Sequence, residues 1–165
     1  MSKTKIAFQG ELGAYSHIAI NEIFKNPEIK TCSTFEETFK VAFEDEQYKI
    51  IIPLENSLAG RVADIHYLLP KYKLQIHAEH FQKVEHNLLA KKNSELKDIK
   101  YVRSHAQAIG QCQKIIMDNK YKTIISADTA GSAKELSDGN DNSIAAIASK
   151  LSAKIYNLKI LKENI

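Results

Sequence analysis

The sequence predicts an α/β fold built from two successive β-α units. A run of β-branched residues, Ile50-Ile51-Ile52, is typical of a buried strand, and Pro53 ends it because proline cannot donate to a sheet ladder. Short apolar strands alternate with helical patterns along the chain, which favours a largely parallel sheet. Four strands also run into polar or small residues, at the strand ends where open α/β sheets bind ligands.

The first half of the chain predicts a β-α-β-α-β unit. Strands are expected at 5–8, 29–32 and 49–52, with helices at 14–24 and from about 35. Gly10 and Gly13 flank the first turn, where a simple positive-φ turn and an anion-binding helix N-terminus are equally supported. Thr34 and Glu37 have the spacing of a capping box, as do Ser33 and Glu36.

The second half predicts a further α/β unit after an extended crossover. A helix over 61–69 leads to Pro70, residues 72–80 alternate as a half-buried strand, and 81–90 continue as an extended segment. The remaining pattern predicts strands at 99–102, 123–126, 143–147 and 158–161, and helices at 106–118, from 128 and over 148–156.

Composition and charge narrow the function classes. The net charge of +3 is slight and forms no basic block, so no nucleic-acid partner is expected. No apolar run is long enough to cross a membrane or to form a signal-peptide core, which predicts a cytoplasmic protein without membrane contact. Cys32 and Cys112 have no metal-ligand spacing and are expected to be plain thiols. No histidine pair has zinc-site spacing, and no metal is expected.

The four polar strand ends are the candidate site. They lie at 10–15, 55–60, 104–111 and 128–132 and supply hydroxyls, amides and helix N-terminal N–H groups, which suit a small carboxylate. Simpler interpretations stand beside this one. Asn56 or Ser57 is equally suited to be the N-cap of the next helix, Ser104 to cap the helix after it, and Asp128 to cap the helix at 129.

Four segments, in order, resemble the signature segments of the prephenate dehydratase family. They begin at Phe8 (FQGELGAYS), Pro53 (PLENSLAG), Ser104 (SHAQAIGQC) and Asp128 (DTAGSAK). The resemblance covers nearly the whole chain. It implies two α/β lobes with a central cleft, like type II periplasmic binding proteins, and the conversion of prephenate to phenylpyruvate without a cofactor. The expected lobes are 1–74 plus 156–165, and 75–155, with no regulatory domain.

The resemblance also implies the site residues. The expected catalytic residues are Asn56, Ser57, Gln111 and Glu55, and the expected substrate-binding residues are Gly13, Ala14, Ser104, Thr129, Ala130 and Gly131. Glu55 acts as a proton donor if it is buried, or braces its loop through hydrogen bonds, and we favour bracing. His105 is expected to start a helix rather than act as the acid.

Two departures from the family pattern bear on activity. The family's Thr-Arg-Phe motif, whose threonine is its main candidate for assisting loss of the hydroxyl, is absent from these 165 residues. Ala106 replaces the proline of the family's Ser-His-Pro-Gln segment, which loosens the helix start. The alternatives are therefore an arogenate dehydratase, which acts on a close relative of prephenate, and a binding module without chemistry. By family resemblance we expect a homo-oligomer, most simply a dimer.

Overall fold

The computed structural model describes residues 3–165, and the chain divides into two compact units. Unit 1 contains the described residues up to Gly10 together with Tyr15–Gln82, and unit 2 contains Glu11–Ala14 and Lys83–Ile165. Each unit combines its own β-sheet with helices. The α/β class predicted from the sequence is therefore confirmed.

Unit 1 is a three-stranded parallel sheet, in the order β2-β1-β3, followed by a small hairpin and a helix. Its elements are β1 (Lys5–Gln9), α1 (Tyr15–Ile23), β2 (Glu28–Cys32), α2 (Phe35–Glu44), β3 (Tyr48–Ile51), β4 (Glu55–Asn56), β5 (Gly60–Arg61) and α3 (Ala63–Tyr72). The central strand buries Ile6, Ala7 and Phe8 completely. Phe39 of α2 packs against Ile65 and neighbouring residues of α3.

The cap predicted at Thr34 begins α2, but the reciprocal bond of a capping box is not formed, because the Glu37 carboxylate does not accept from the Thr34 backbone N–H. Thr34 is the N-cap, and its hydroxyl oxygen accepts a hydrogen bond of 3.0 Å from the Glu37 backbone N–H. The Glu37 carboxylate accepts one of 2.7 Å from the backbone N–H of Ser33. The Glu37 N–H, which the helix itself leaves unpaired, and the Ser33 N–H just before the N-cap are thereby both satisfied, and the chain enters α2 directly from β2.

Unit 2 is a five-stranded mixed sheet in the order β10-β6-β9-β7-β8. Its elements are β6 (Asn87–Ala90), β7 (Tyr101–Ser104), α4 (Ala106–Gln111), α5 (Gln113–Asp118), β8 (Lys122–Ile125), α6 (Thr129–Asp138), β9 (Ile144–Ala148), α7 (Lys150–Ile155) and β10 (Lys159–Lys162). Strands β9, β7 and β8 are parallel, and β6 and β10 run antiparallel to their neighbours. Strand β6 is buried along its whole length.

The expected return of residues 156–165 to the first lobe is wrong. Strand β10 pairs antiparallel with β6, with Ile160 opposite Leu89, so the final segment belongs to unit 2. The boundary also falls after Gln82 rather than after residue 74. Ile160 packs against the apolar cluster around Leu89, and this burial explains why the last strand stays with the sheet of unit 2.

The strand predicted over 72–80 is also wrong. Helix α3 continues through Pro70 to Tyr72 and ends at Lys73, which has a left-handed φ of 52°. Within residues 3–165, no strand pairs with the segment that follows, and Ile76 and Phe81 are exposed. Alternating polarity gives a segment two faces, but a strand also requires a neighbour that completes its hydrogen bonds.

The helix predicted over 106–118 is interrupted. Cys112, with φ −104° and ψ 21°, separates α4 from α5. Both halves bury apolar residues in one cluster, including Ile109 and Ile115. The break therefore falls immediately after Gln111, and the apolar faces of both halves remain in the core.

Candidate functional site

The loop that carries Gly13 is held by three side chains within unit 2. The Gly13 carbonyl oxygen accepts hydrogen bonds from the buried hydroxyls of Ser149, at 2.6 Å, and Ser152, at 3.0 Å. The Tyr156 hydroxyl donates to the Leu12 carbonyl oxygen at 2.8 Å. Gly13 has a φ of +97°, and a Cβ atom there would lie 2.5 Å from the Ser152 hydroxyl oxygen. Glycine is therefore required both by the backbone conformation and by the space.

The same loop limits what Ala14 can offer a substrate. The Ala14 backbone N–H donates to the carbonyl oxygen of Glu11 at 3.1 Å, which closes a turn. The Glu11 carboxylate in turn forms a salt bridge of 3.0 Å with Lys134 of α6, and this contact raises the pKa of Lys134. The predicted backbone contact of Ala14 with a carboxylate would thus compete with an existing hydrogen bond.

Ser104 and His105 have structural contacts at the end of β7. Ser104 is fully buried, and its hydroxyl donates to the carbonyl oxygen of Ile147 at 2.7 Å. His105 is the N-cap of α4, and its ring Nδ1 accepts from the Gln107 backbone N–H at 3.3 Å. The prediction that His105 starts a helix is confirmed, whereas the suggestion that Ser104 caps it is wrong.

Gln111, at the last turn of α4, contacts a buried histidine. Its side-chain oxygen lies 2.8 Å from Nε2 of His86, which immediately precedes β6. Burial lowers the pKa of His86, and the hydrogen bond with Gln111 raises it to a smaller extent. The neighbouring thiol of Cys112 has its pKa raised to about 11 by burial. Burial therefore disfavours the charged forms of both His86, which Gln111 contacts, and Cys112, which follows Gln111 in the chain.

The first turn of α6 carries the predicted substrate-binding residues Thr129, Ala130 and Gly131. Asp128 is the N-cap of this helix, as expected. The Asp128 carboxylate accepts from the Gly131 backbone N–H at 2.7 Å. A Cβ atom at Gly131 would lie 2.8 Å from the other oxygen of this carboxylate. The first N–H groups of a helix lack partners within it. Of the two residues that precede Gly131 in this turn, Thr129 is half-buried and Ala130 is fully buried.

The Glu55-Asn56-Ser57 segment of unit 1 forms a tight hairpin rather than a helix cap. Glu55 pairs with Arg61 and Asn56 with Gly60, whose φ is +82°. The Asn56 side-chain oxygen accepts from the backbone N–H groups of Leu58, at 2.9 Å, and Ala59, at 3.0 Å. Val62 occupies the N-cap position of the next helix, α3, without a side-chain hydrogen bond. Asn56 or Ser57 as its N-cap is therefore wrong.

The three residues of the Glu55-Asn56-Ser57 segment differ in their exposure to solvent. Glu55 and Ser57 are exposed and Asn56 is half-buried. The burial that a proton-donor role of Glu55 required is absent in this structure. Asn56 keeps its amide N–H₂ group available as a donor, because its oxygen forms the turn.

Other features fall outside the predicted set. An open depression of about 300 Å³ in unit 1 is lined by residues that include Thr34, Glu36 and Tyr67, and by none of the predicted site residues. Within the described part of the chain, no three His, Cys, Asp or Glu side chains are grouped to hold a metal ion. None of the helices over residues 3–165 is both long and apolar enough to cross a membrane.

Sequence reasoning missed the residues that support the site, namely His86, Ser149, Ser152 and Tyr156. A histidine directly before the apolar run Asn87–Ala90 was an available signal, because a polar ring next to a buried strand needs a partner. The two serines gave no such signal, since residues 149 and 13 are far apart in sequence.

The comparisons agree on one family. The prephenate dehydratase family model matches residues 6–165. A bifunctional N-acyl-homoserine lactone acylase/prephenate dehydratase of Komagataeibacter europaeus is 38% identical over 160 residues, covering 97% of this chain and 57% of that protein. Arogenate dehydratase/prephenate dehydratase 1 of Arabidopsis thaliana, described as chloroplastic, is 38% identical over 164 residues, covering 99% of this chain and 42% of that protein. The chain thus spans about half the length of these curated relatives.

A solved structure shows the same fold. Prephenate dehydratase of Arthrobacter aurescens, in complex with L-Phe, superposes with a TM-score of 0.88 at 24% identity, covering 98% of this chain and 55% of that one. The fold is therefore that of prephenate dehydratase domains, which resemble type II periplasmic binding proteins.

Proposed function

The chain belongs to the prephenate dehydratase family, and we propose that it converts prephenate to phenylpyruvate in phenylalanine biosynthesis. The observation that carries this proposal is the family match over residues 6–165, which contains all four of the ordered segments described above. The activity is that of a carbon–oxygen lyase, and the proposed reaction needs no cofactor.

The chemistry suits the groups available. Prephenate carries a ring carboxylate, a pyruvyl carboxylate and a ring hydroxyl. As the ring carboxylate leaves as carbon dioxide, its bonding electrons enter the ring and the hydroxyl departs from the opposite side, taking up one proton to leave as water. The ring becomes aromatic, which supplies the driving force. The protein has to hold the substrate and donate hydrogen bonds to the departing oxygen.

We assign the roles by the hydrogen-bonding capacity that each group retains. Gln111 and Asn56 each present an amide N–H₂ group, because their oxygens are engaged. Ser57 presents an exposed hydroxyl. These three are the proposed donors to substrate oxygens. Glu55, at the base of the hairpin opposite Arg61, is proposed to brace the loop.

The substrate-binding groups that we propose in unit 2 are mainly backbone N–H groups. Thr129 and Ala130 supply helix N-terminal donors for a carboxylate, and Gly131 permits the Asp128 cap beside them. Gly13 and Ala14 define the shape of the loop that starts at Glu11. Ser104 is proposed to support the site indirectly. Its buried hydroxyl donates to the Ile147 carbonyl oxygen and so holds β7 against β9.

The test is a turnover assay that follows phenylpyruvate by its absorbance in alkali. The full gene product and residues 1–165 are assayed in parallel, each with prephenate and with arogenate. We expect prephenate turnover that is strongly lowered but still measurable in Gln111→Leu. Preferential turnover of arogenate would transfer the assignment to the arogenate reaction that is named for the Arabidopsis relative. Tight prephenate binding with no turnover by either protein would favour a binding module instead.

A second candidate is hydrolysis of N-acyl-homoserine lactones. The relative from Komagataeibacter europaeus is named for this acylase activity as well as for prephenate dehydratase. The same protein samples are incubated with a long-chain N-acyl-homoserine lactone, and release of the fatty acid is followed by mass spectrometry. Fatty-acid release that Gln111→Leu leaves unchanged would indicate an activity separate from the proposed one.

We also propose a cytoplasmic location and a homodimer. The net charge is slight and the sequence has no apolar run of transmembrane length. Cell fractionation tests the first proposal, and light scattering coupled to gel filtration tests the second. Recovery with the membrane fraction, or a monomer at micromolar concentration, would overturn the respective proposal.

A further inference from the structure

His86 makes a buried contact with the proposed catalytic amide. It lies directly before β6, is almost completely buried, and places its ring Nε2 at 2.8 Å from the side-chain oxygen of Gln111. The two residues are 25 positions apart in sequence, and His86 precedes β6 whereas Gln111 ends α4, both in unit 2. Nothing in the four family segments includes this histidine.

The contact determines which way the Gln111 amide points. An amide oxygen can only accept a hydrogen bond, so Nε2 of His86 must carry the hydrogen. The amide oxygen is therefore turned toward His86, and the N–H₂ group of Gln111 is turned away from it. Burial lowers the pKa of His86 and so favours the neutral ring, which donates its N–H to this bond.

We propose that His86 is a positioning residue that holds the Gln111 side chain with its N–H₂ group toward the substrate. The inference rests on the proposed function, because the substrate oxygens give this orientation its value. Carboxylates and a departing hydroxyl all accept hydrogen bonds. The reversed amide would present an oxygen lone pair to them, which repels the substrate instead of stabilising it.

The surroundings of the pair keep it fixed. The His86 carbonyl oxygen accepts from the backbone N–H of Ile165 at 3.0 Å, and the Cys112 thiol lies 3.7 Å from the Ile165 carbonyl oxygen. Cys112 directly follows Gln111 and forms the break between α4 and α5. The backbones that carry both residues are thus tied to the same short segment, and the relative position of the two side chains is constrained.

Three substitutions at His86 separate orientation from mere burial. His86→Gln retains an N–H donor at about the distance of Nε2, so it should restore the hydrogen bond to Gln111. His86→Asn is polar but too short to reach it, and is the matched control. His86→Leu fills the space without a donor.

The expected kinetic result is a loss of kcat with little change in KM. His86→Leu and His86→Asn should lower kcat by about 10- to 100-fold, because the amide loses its fixed orientation. His86→Gln should recover most of this loss. If His86 acts through Gln111, His86→Leu should cause no further loss in a Gln111→Leu background. If His86→Leu lowered kcat by the same factor in the Gln111→Leu background as in the wild-type background, the proposal would be overturned.

The structural alternative makes a different prediction. If His86 only fills the core, all three variants should lose thermal stability roughly in proportion to packing, and kcat of the folded protein should stay unchanged. Urea unfolding of each variant supplies the folded fraction for this correction. An unchanged kcat in folded His86→Leu would overturn the positioning role.

A readout independent of turnover keeps the test separate from the proposed function. The side-chain N–H₂ resonances of Gln111 are assigned by their loss in Gln111→Leu. In the wild type we expect dispersed, slowly exchanging signals, which should move toward the values of a solvent-exposed amide in His86→Leu and return in His86→Gln. If the wild type turns over neither substrate, the proposed function fails. Unaltered resonances in His86→Leu would overturn the positioning inference itself.

Discussion

The hydroxyl of Ser104 donates a buried hydrogen bond of 2.7 Å to the carbonyl oxygen of Ile147. Ser104 ends β7 and Ile147 lies in β9, the strand beside it. Ser104, which the family resemblance assigns to substrate binding, therefore connects two neighbouring strands of unit 2 by a hydrogen bond. The Ser104 hydroxyl has no exposed surface. It stabilises the end of β7, after which α4 and Gln111 follow in the chain.

Ser104→Ala should consequently act on stability. We expect the free energy of unfolding to fall by about 1–3 kcal/mol, because the Ile147 carbonyl oxygen loses a buried partner, while KM for prephenate stays within about twofold. The matched control is Ser94→Ala, since Ser94 is equally buried and donates to the Asn142 carbonyl oxygen at 3.0 Å. A tenfold rise in KM for Ser104→Ala alone would instead indicate direct substrate contact.

Gly13→Ala should be strongly destabilising. The added Cβ atom would meet the Ser152 hydroxyl oxygen at 2.5 Å and its Cα atom at 2.8 Å, in a backbone conformation with φ of +97°. We expect a loss of about 2–4 kcal/mol from strain and overpacking, measured by urea unfolding. Gly110→Ala is the control, because nothing lies within 4 Å of its added Cβ atom. That helical substitution should be neutral or slightly stabilising, and similar losses in both variants would refute the steric argument.

Asn56→Asp should distinguish the role of Asn56 in forming the turn from its proposed role as a hydrogen-bond donor to the substrate. Aspartate retains an oxygen that accepts from the Leu58 and Ala59 N–H groups, so the hairpin should persist and the melting temperature should change little. It replaces the amide donor by a second, negatively charged oxygen, and kcat/KM for prephenate should fall by at least about 100-fold. Asn56→Ala should lose both the turn and activity. Full activity of Asn56→Asp would limit Asn56 to shaping the turn.

The buried histidines should make stability fall on mild acidification. Burial lowers the pKa of His17 and of His86 below the ordinary histidine value of 6.5. The unfolded chain then binds more protons than the folded one, so the free energy of unfolding is highest above pH 6.5 and declines as the pH falls toward the folded pKa values. Urea unfolding at pH 7.5, 6.5 and 5.5 measures the decline. The double variant His17→Gln/His86→Gln should flatten it, and an unchanged slope would exclude these two residues as its source.

The thiol of Cys112 should be nearly inert in the folded protein. Its pKa is raised to about 11 by burial, so the thiolate fraction at pH 8 is lower than that of an exposed cysteine by about 100-fold. In a Cys32→Ser background, the single thiol should react with a disulfide reagent slowly in buffer and rapidly in denaturant. Rapid reaction without denaturant would show that the segment around Cys112 opens readily.

Local sequence signals determined much of this protein. The apolar run at Ile50, the N-cap at Thr34 and the cap at Asp128 each depend on residues close together in the chain, and each is present in the structure. The family resemblance added the identity of the candidate residues. These features could be recognised because period, propensity and capping act over a few residues.

Contacts between distant segments were decided only by the tertiary structure. The alternation at 72–80 predicted a strand, but no described strand pairs with it, whereas β10 pairs with β6 across about 70 residues. The His86–Gln111 bond and the two serine hydroxyls on the Gly13 carbonyl oxygen arise in the same way. Hydrogen bonds and packing between remote residues depend on the assembled sheet. The sequence therefore identified the candidate groups, and the fold determined which of them are already engaged and which remain able to donate.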